Sequence, residues 1–426
     1  MRICVVGAGY VGLTTATALA DFGHDVQCVD IEQSKIDSLH QGKVPIYEPG
    51  LEEMIEKNCK EKRLHFSSYV EESIRDYPII LIAVGTPSKE DGSCDLSFIN
   101  HVVKIIASTI SDYKIIITKS TVPPGTNEWI HQTLVEMGIA DDFFDIVSNP
   151  EFLREGSALW DIYHPNKLVF GTKTDRPVKV LKNLYKRGRA PYIFTSLTGA
   201  ELIKYASNAF LATKISFSNE MARICDAYEV EYNDLARGLG TDPRIGRHFL
   251  NAGLGFGGSC LPKDLSSLKH SAISQKTETK LLDAVMEINH TQIELYLNKL
   301  STVLPELLGK QITVWGVTFK PGTDDQRFSP AIRLIKQLVQ KGCYVHTYDP
   351  MVQLEFSGVS SYLDQYESVC NSDALIIATE WDQFLKCNWL EVKSRMKGSI
   401  ILDARNCIDG KIVRKQGLLY LGVGKR

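Results

Sequence analysis

The residue types best suited to chemistry are concentrated in one run, Asn251-Ala252-Gly253-Leu254-Gly255-Phe256-Gly257-Gly258-Ser259-Cys260-Leu261-Pro262-Lys263-Asp264. Four glycines precede a cysteine, and Pro262 stands where a helix would begin. Glycines let the backbone approach a ligand closely. A cysteine just ahead of a helix N-terminus, beside Lys263, has its thiolate favoured. Cys260 therefore reads either as a nucleophile or as a packing cysteine at a loop–helix junction. Asp264 offers a carboxylate one helical turn on. Lys204 and Asn208, four residues apart in a predicted helix, share one face. A half-buried lysine with an amide one turn away can hold a developing oxyanion, and the same pair can equally be a surface lysine and a helix amide. Glu151 and Glu155 flank Phe152-Leu153-Arg154. Paired carboxylates at this spacing suit general-base work or contacts to a nicotinamide amide, and could equally cap a helix after Asn149-Pro150. Lys320, Arg327 and Arg405 each follow a strand end, where a cation can meet phosphate.

These groups need elements to position them. The chain opens with an apolar strand, Arg2-Ile3-Cys4-Val5-Val6, that runs into Gly7-Ala8-Gly9-Tyr10-Val11-Gly12 and a helical pattern to Phe22. Gly23 stops that helix, and a second strand, Asp25 to Val29, ends at Asp30. This βαβ unit carries the G-x-G-x-x-G turn on which a pyrophosphate sits at a helix N-terminus. Asp30, about 20 residues after the turn, is placed to accept hydrogen bonds from an adenosine ribose, and its charge disfavours a 2′-phosphate. NAD is thus expected rather than NADP. Further strands are predicted at Ile79 to Val84, Lys114 to Thr118 and Phe144 to Val147. Ligands of open parallel sheets bind beyond the strand carboxyl ends, which puts Thr86, Thr121, Glu151 and Glu155 near the cofactor.

From Thr198 the pattern changes. Thr198-Gly199-Ala200-Glu201 fits a capping box, and a stretch free of proline predicts a long helix to about Val230, followed by shorter helices. This region reads as a connector and dimer surface. From about Leu308 the opening pattern recurs, with strands Ile312 to Val317, Tyr344 to Tyr348 and Ile400 to Asp403, and a helix Pro330 to Gln340. Its first turn lacks G-x-G-x-x-G, so a different nucleotide is expected there. The fold class is α/β: two Rossmann-like doubly wound domains joined by a long central helix and helical connector. The expected divisions are 1–196 for NAD, 197–300 for the connector and dimerisation, and 301–426 for the second nucleotide-binding domain.

Bulk properties agree with this reading. A length of 426 residues suggests two or three domains at roughly 150 residues each. Apolar residues make up 44% and charged residues 23%, which argues against a disordered chain. The 48 Lys and Arg nearly balance the 51 Asp and Glu, so nothing in the charge calls for nucleic acid or an anionic membrane. No apolar run reaches the roughly 20 residues of a membrane span, and Ile3 to Val6 is too short for a signal-peptide core. The ten cysteines are scattered without a C-x-x-C pair, which predicts no disulfide framework and the reducing cytoplasm. Histidine and cysteine spacings match no zinc site, so no metal is expected. Trp129, Trp160, Trp315, Trp381 and Trp389 stand at apolar positions and are expected in the core.

Five ordered segments carry a resemblance: Gly7 to Gly12, Ser120-Thr121-Val122-Pro123-Pro124-Gly125, Asn149 to Gly156, Phe256 to Asp264, and Phe319-Lys320-Pro321-Gly322-Thr323-Asp324-Asp325. Together they resemble the UDP-glucose/GDP-mannose dehydrogenase family over nearly the whole chain. Ile46-Tyr47-Glu48-Pro49-Gly50 is similar to its UDP-glucose branch. The resemblance implies a four-electron oxidation at C6 of a UDP-sugar, UDP-glucose to UDP-glucuronate, with two NAD used in turn. UDP-N-acetylmannosamine, UDP-N-acetylglucosamine and GDP-mannose are the alternative substrates, and an inactive NAD-binding scaffold is the alternative of another class. It further implies that Cys260 forms a thiohemiacetal and then a thioester. Lys204 and Asn208 would stabilise the oxyanion, Asp264 would help move the first proton, and Glu151 would serve hydrolysis, with Thr121 ordering water. For NAD it implies Gly7, Gly9, Tyr10, Val11, Gly12, Asp30, Lys35, Thr86, Thr121, Glu155, Lys263 and Arg327. For the sugar nucleotide it implies Glu151, Phe152, Leu153, Arg154, Glu155, Lys204, Asn208, the loop Phe249-Leu250-Asn251-Ala252-Gly253, Gly257, Lys320 and Arg405. Arg244 would reach the substrate of a neighbouring subunit, making a homodimer or higher homo-oligomer with a shared active-site edge. Leu261, Gly322 and Phe328 depart from the family pattern, the first altering packing behind Cys260 and the others bearing on the sugar nucleotide.

Overall fold

A computed structural model describes every residue except Arg189 and Arg426. The chain forms two compact units, Met1–Ser207 with Ser266–Lys276, and Asn208–Leu265 with Thr277–Arg426.

The first unit is built on an eight-stranded sheet: β1 (Arg2–Val6), β2 (Asp25–Val29), β3 (Leu64–Ser67), β4 (Ile79–Ile82), β5 (Lys114–Thr118), β6 (Phe144–Ser148), β7 (Leu168–Thr172) and β8 (Tyr192–Thr195). The order is β3-β2-β1-β4-β5-β6-β7-β8, parallel throughout except where β7 runs antiparallel to β6. Successive side chains on a strand face opposite ways. Ile3 and Val5 of β1 enter one apolar cluster with Leu81 and Ile117, while Cys4 and Val6 enter another with Ile80 and Ile116. Both faces are thus covered, which is why the central strands are continuous apolar runs rather than alternating ones. β1 lies between β2 and β4, so the chain order reverses at the end of β1, where a ligand crevice forms.

The second unit repeats the plan with β9 (Gln311–Trp315), β10 (Tyr344–Tyr348), β11 (Val359–Tyr362), β12 (Ala374–Ile377), β13 (Ile400–Asp403) and β14 (Leu419–Leu421). The order β11-β10-β9-β12-β13-β14 is parallel throughout. The repeat extends to one hydrogen-bonded device. After β1, Asp30 Oδ2 accepts from the N–H of Ala8 at 2.8 Å, and after β9, Asp349 Oδ2 accepts from the N–H of Val317 at 2.8 Å. In the first unit a helix follows at once, Tyr10–Asp21, whereas in the second a loop intervenes and the helix starts at Pro330.

The long helix spans Leu197–Ala227, beginning in the first unit and ending in the second. It starts one residue earlier than Thr198, and the expected capping box is not what holds its start. Ser196 Oγ accepts from the N–H of Gly199 at 3.0 Å. Glu201 instead accepts from the backbone N–H of Gly125 at 2.6 Å and of Asn127 at 2.8 Å, at the start of another helix, Thr126–Glu136. Burial pushes the Glu201 carboxyl up to about 7, against the pull of those donors. The tryptophan expectation needs correcting. Trp315 and Trp389 are buried, but Trp129 and Trp160 are exposed, and Trp160 stacks on His164 instead. Among the described residues no helix is long and apolar enough to cross a membrane.

Candidate active site

The glycine turn after β1 leaves no room for side chains at Gly7 and Gly12. A Cβ on Gly12 would lie 1.8 Å from the carbonyl oxygen of Gly7, and one on Gly7, whose φ is +106°, would lie 2.7 Å from that of Ala83. Gly9 faces open space. A cavity of about 550 Å³ adjoins the turn, lined by Gly7, Gly9, Asp30, Lys35, Phe98 and His101 among others. Asp30 is fixed by three donors: Ala8 N–H, the N–H of Glu32 at 3.0 Å and Lys35 Nζ at 3.2 Å. Burial alone would lower the Lys35 pKa, but Asp30 and Glu32 raise it, so this cation is secure. Tyr10 turns its hydroxyl to Glu48, which also accepts from the N–H of Gly156 at 2.8 Å, so the fingerprint tyrosine helps hold the Glu151–Gly156 segment. Thr86 Oγ1 donates to the carbonyl of Thr121 at 2.8 Å and joins the ends of β4 and β5.

Beyond β6 the chain reaches Glu151, which is buried against Lys204. Lys204 Nζ donates to Glu151 Oε1 at 2.8 Å, and the N–H of Leu153 donates to Oε2 at 2.5 Å. Burial would raise the Glu151 pKa, but the Lys204 charge and hydrogen bond, the Leu153 N–H and the Lys119 charge together hold it below the usual range. The next helix starts only at Ala158, after Ser157, so neither Glu151 nor Glu155 is its cap. Phe152 presents its ring to Lys204 and Lys167 at 5.5 and 4.3 Å. Arg154 is committed to Asp161 at 2.6 Å.

In the second unit Cys260 immediately precedes the helix Leu261–Ser274, and its carbonyl accepts from the N–H of Asp264 at 2.9 Å in the first turn. Asp264 is buried and doubly held, by Asn208 Nδ2 at 2.6 Å and Lys263 Nζ at 2.6 Å. The glycines are required by close neighbours. A Cβ on Gly257 would meet the Phe328 carbonyl at 2.3 Å, and one on Gly258 the Phe319 ring at 2.7 Å. This seats the cysteine loop against the segment that carries Lys320 and Arg327, and Arg327 is itself paired with Asp325 at 2.8 Å. Arg405 makes a two-pronged pair with Glu380 at 2.6 and 2.9 Å and donates to the Gly255 carbonyl at 3.3 Å. The Phe249–Gly253 loop is anchored where Leu250 accepts from Tyr232 and where Gly253 bonds Asn219 and Gln292. Phe249 sits at φ +64°, and Asn251 is exposed. Arg244 stands apart, exposed and paired with Asp242 at 2.6 Å.

Residues 1–188 match the NAD binding domain of the UDP-glucose/GDP-mannose dehydrogenase family, 198–291 its central domain and 313–410 its UDP binding domain. The chain belongs to this family. It is 42% identical over 429 residues to the UDP-glucose 6-dehydrogenase TuaD of Bacillus subtilis, covering 100% of this chain and 93% of the relative. A UDP-glucose dehydrogenase from Pyrobaculum islandicum superposes with a TM-score of 0.92 at 35% identity, over 100% of this chain and 98% of that one. A UDP-D-ManNAc dehydrogenase from Pyrococcus horikoshii gives 0.90 at 28%, over 100% and 99%. As a UDP-glucose/GDP-mannose dehydrogenase, the chain is an NAD-dependent oxidoreductase with a UDP-binding domain. The cofactor fits what the first unit offers: a turn closed to side chains at Gly7 and Gly12, an adjoining cavity and the Asp30 carboxylate at its edge.

Several partners in this dehydrogenase were not visible in the sequence. Glu48, Glu201, Asn219, Gln292 and Glu380 each fix a candidate residue or its loop from a distant segment. Phe98 and His101 line the cavity from the helix Ser97–Thr109, whose amphipathic spacing signalled only a packed helix. Lys119, buried after β5, had no local signal beyond its place at a strand end.

Proposed function

We propose that this dehydrogenase oxidises C6 of UDP-glucose from alcohol to carboxylate, with Cys260 as covalent nucleophile. The observation that carries the reading is Cys260 at the start of a helix whose first-turn Asp264 is buried and held by both Asn208 and Lys263. A binding scaffold has no use for that arrangement. NAD, when bound, supplies the acceptor for the hydride lost in each of the two oxidations. Gly7, Gly9, Gly12, Asp30 and Lys35 hold its adenosine and pyrophosphate portion. In the first oxidation the C6 hydroxyl proton passes toward Asp264, whose carboxylate is held in place by its two donors. The Cys260 thiolate then adds to the aldehyde, forming a C–S bond while the carbonyl electron pair moves to oxygen. Lys204 and Asn208 stabilise that oxyanion. Loss of the second hydride leaves a thioester. Water ordered by Thr121 attacks it, Glu151 takes the water proton, and the C–S bond breaks to return the thiolate and release the carboxylate. The covalent link keeps the aldehyde from escaping.

Lys320, Arg405 and the Phe249–Gly253 loop serve the UDP-sugar, and the three-part division at 1–196, 197–300 and 301–426 describes the work of the chain. A second copy completes the enzyme. Phe210, Phe217 and Ile224 are exposed at seven-residue spacing on the long helix and form an apolar row suited to a twin helix. Arg244, exposed near this region of the sequence, serves the partner's site edge. Ten cysteines, none in a disulfide, suit a reducing cytoplasm. The test is NADH formation with a panel of nucleotide sugars. Two NADH per UDP-glucose is the expected result. Turnover only with an N-acetylhexosamine or GDP-mannose substrate refutes the substrate, and NAD binding without any turnover refutes the enzyme.

A further inference from the structure

We infer that Lys119 is a positioning residue for Glu151, its buried ammonium keeping that carboxylate charged while Lys204 is engaged with the substrate oxygen. The inference rests on the assignment of Glu151 to thioester hydrolysis made above. Lys119 follows β5, where its N–H donates to the Ile82 carbonyl at 2.8 Å. Its side chain is buried, with Nζ donating to Asn149 Oδ1 at 3.2 Å and lying 5.4 Å over the Tyr185 ring. Among the described residues it makes no ion pair, although Lys204 does. A buried ammonium held only by an amide and a ring is costly.

Packing does not explain a charge at this place. Asn149 is satisfied without Lys119, since its Oδ1 also accepts from the Tyr185 hydroxyl at 2.7 Å and its Nδ2 donates to the Val169 carbonyl at 2.9 Å. An apolar chain of similar length would occupy the same volume without desolvating a charge. The ammonium makes sense in relation to Glu151. Two lysines act on the one carboxylate: Lys204 by contact and Lys119 by its charge, while Lys167 acts on Lys204, and Tyr185 lies beneath the Lys119 ammonium. Lys204 has the stronger hold on Glu151, by contact. Once the Lys204 ammonium is drawn to an oxyanion, Glu151 is left with the Leu153 N–H and the field of Lys119. Without Lys119 a buried carboxylate takes up a proton and cannot accept one from water. Burial and Lys204 bring Lys119 itself down to about 8, and Glu151 opposes that fall, so the two groups sustain each other's charge near neutrality.

The experiment follows single turnover of UDP-glucose in the full-length protein at pH about 5 to 9, with the Cys260 adduct quantified by mass spectrometry and the hydrolysis rate fitted separately. Lys119→Met and Lys119→Gln are compared with the parent. Both are expected to fold with melting temperatures at or above the parent's. In both, the acid limb of hydrolysis moves up by about one pH unit, because losing a positive neighbour raises a carboxylate's pKa. A structural role would lower the melting temperature and leave the limb in place. An unmoved limb in both variants, or failure of both to fold, overturns the inference. Glu151→Gln tests the underlying reading separately. If it hydrolyses the adduct at the parent rate, Glu151 is not the base and the fault lies there rather than with Lys119.

Discussion

Replacing Asp30 with alanine isolates the source of cofactor preference. The carboxylate has four lone-pair positions. Three are used within the protein, by Ala8 N–H and Lys35 on Oδ2 and by Glu32 N–H on Oδ1. One on Oδ1 remains, enough for a single ribose hydroxyl. A hydrogen bond to a charged acceptor is worth about 1.5–3 kcal/mol, and about 1.4 kcal/mol is tenfold in affinity. Asp30→Ala is therefore expected to weaken NAD by about 10- to 100-fold. It also frees Lys35, now bound at 3.2 Å to both Asp30 and Glu32, from one of its two carboxylate partners. NADP should lose nothing from the missing hydrogen bond and gain from the relieved repulsion. Loosening of the Ala8 anchor would weaken both cofactors alike, so it cancels in the ratio of their dissociation constants. The measurement is calorimetric titration of parent and variant with NAD and NADP. The NADP-to-NAD ratio of Kd values should fall by at least about tenfold. A ratio that stays put while both affinities drop would show that Asp30 only braces the loop, and the ribose argument would fail.

Two further substitutions probe the second unit. Cys260→Ser should form no covalent adduct with UDP-glucose and stall before the carboxylate, with NAD affinity unchanged by titration; turnover through both oxidations at the parent rate would remove covalent catalysis from the mechanism. Gly257→Ala places a Cβ 2.3 Å from the Phe328 carbonyl and 2.7 Å from Pro330 Cδ, neither of which is a flexible chain end. Overpacking of this kind costs about 1–3 kcal/mol, so a lower melting temperature and a loss of activity of at least about tenfold are expected. A variant that melts and turns over like the parent would mean the glycine run does not set the approach of the cysteine loop.

What could be read from the chain and what could not divides by distance along it. The turn from Gly7 to Gly12 and the acid at Asp30 fall within one βαβ unit, so all parts of the device appear in a single window. The second unit uses the same device, a positive-φ glycine at Gly316 followed by Val317, whose N–H donates to Asp349. There the helix is delayed to Pro330, and the glycine spacing that makes the first copy legible never forms. The run around Cys260 stands out in the sequence because its glycines, Pro262 and Asp264 are neighbours. Capping at Thr198 was misread for the converse reason: Glu201 fits a local rule, but its carboxylate is recruited by backbone donors at Gly125 and Asn127, more than seventy residues away. The Glu151–Lys204 pair, 53 residues apart, is a product of folding alone. The same holds for the charge balance around Glu151. Motifs and resemblance name candidate residues one at a time, but a buried carboxylate's proton affinity depends on the sum of its neighbours. Here that sum draws on the segments after β5 and β6 and on the long helix. Lys119 contributes to it from a strand end without a local signal, and only the packed structure shows its buried ammonium held by Asn149 and, among the described residues, making no ion pair.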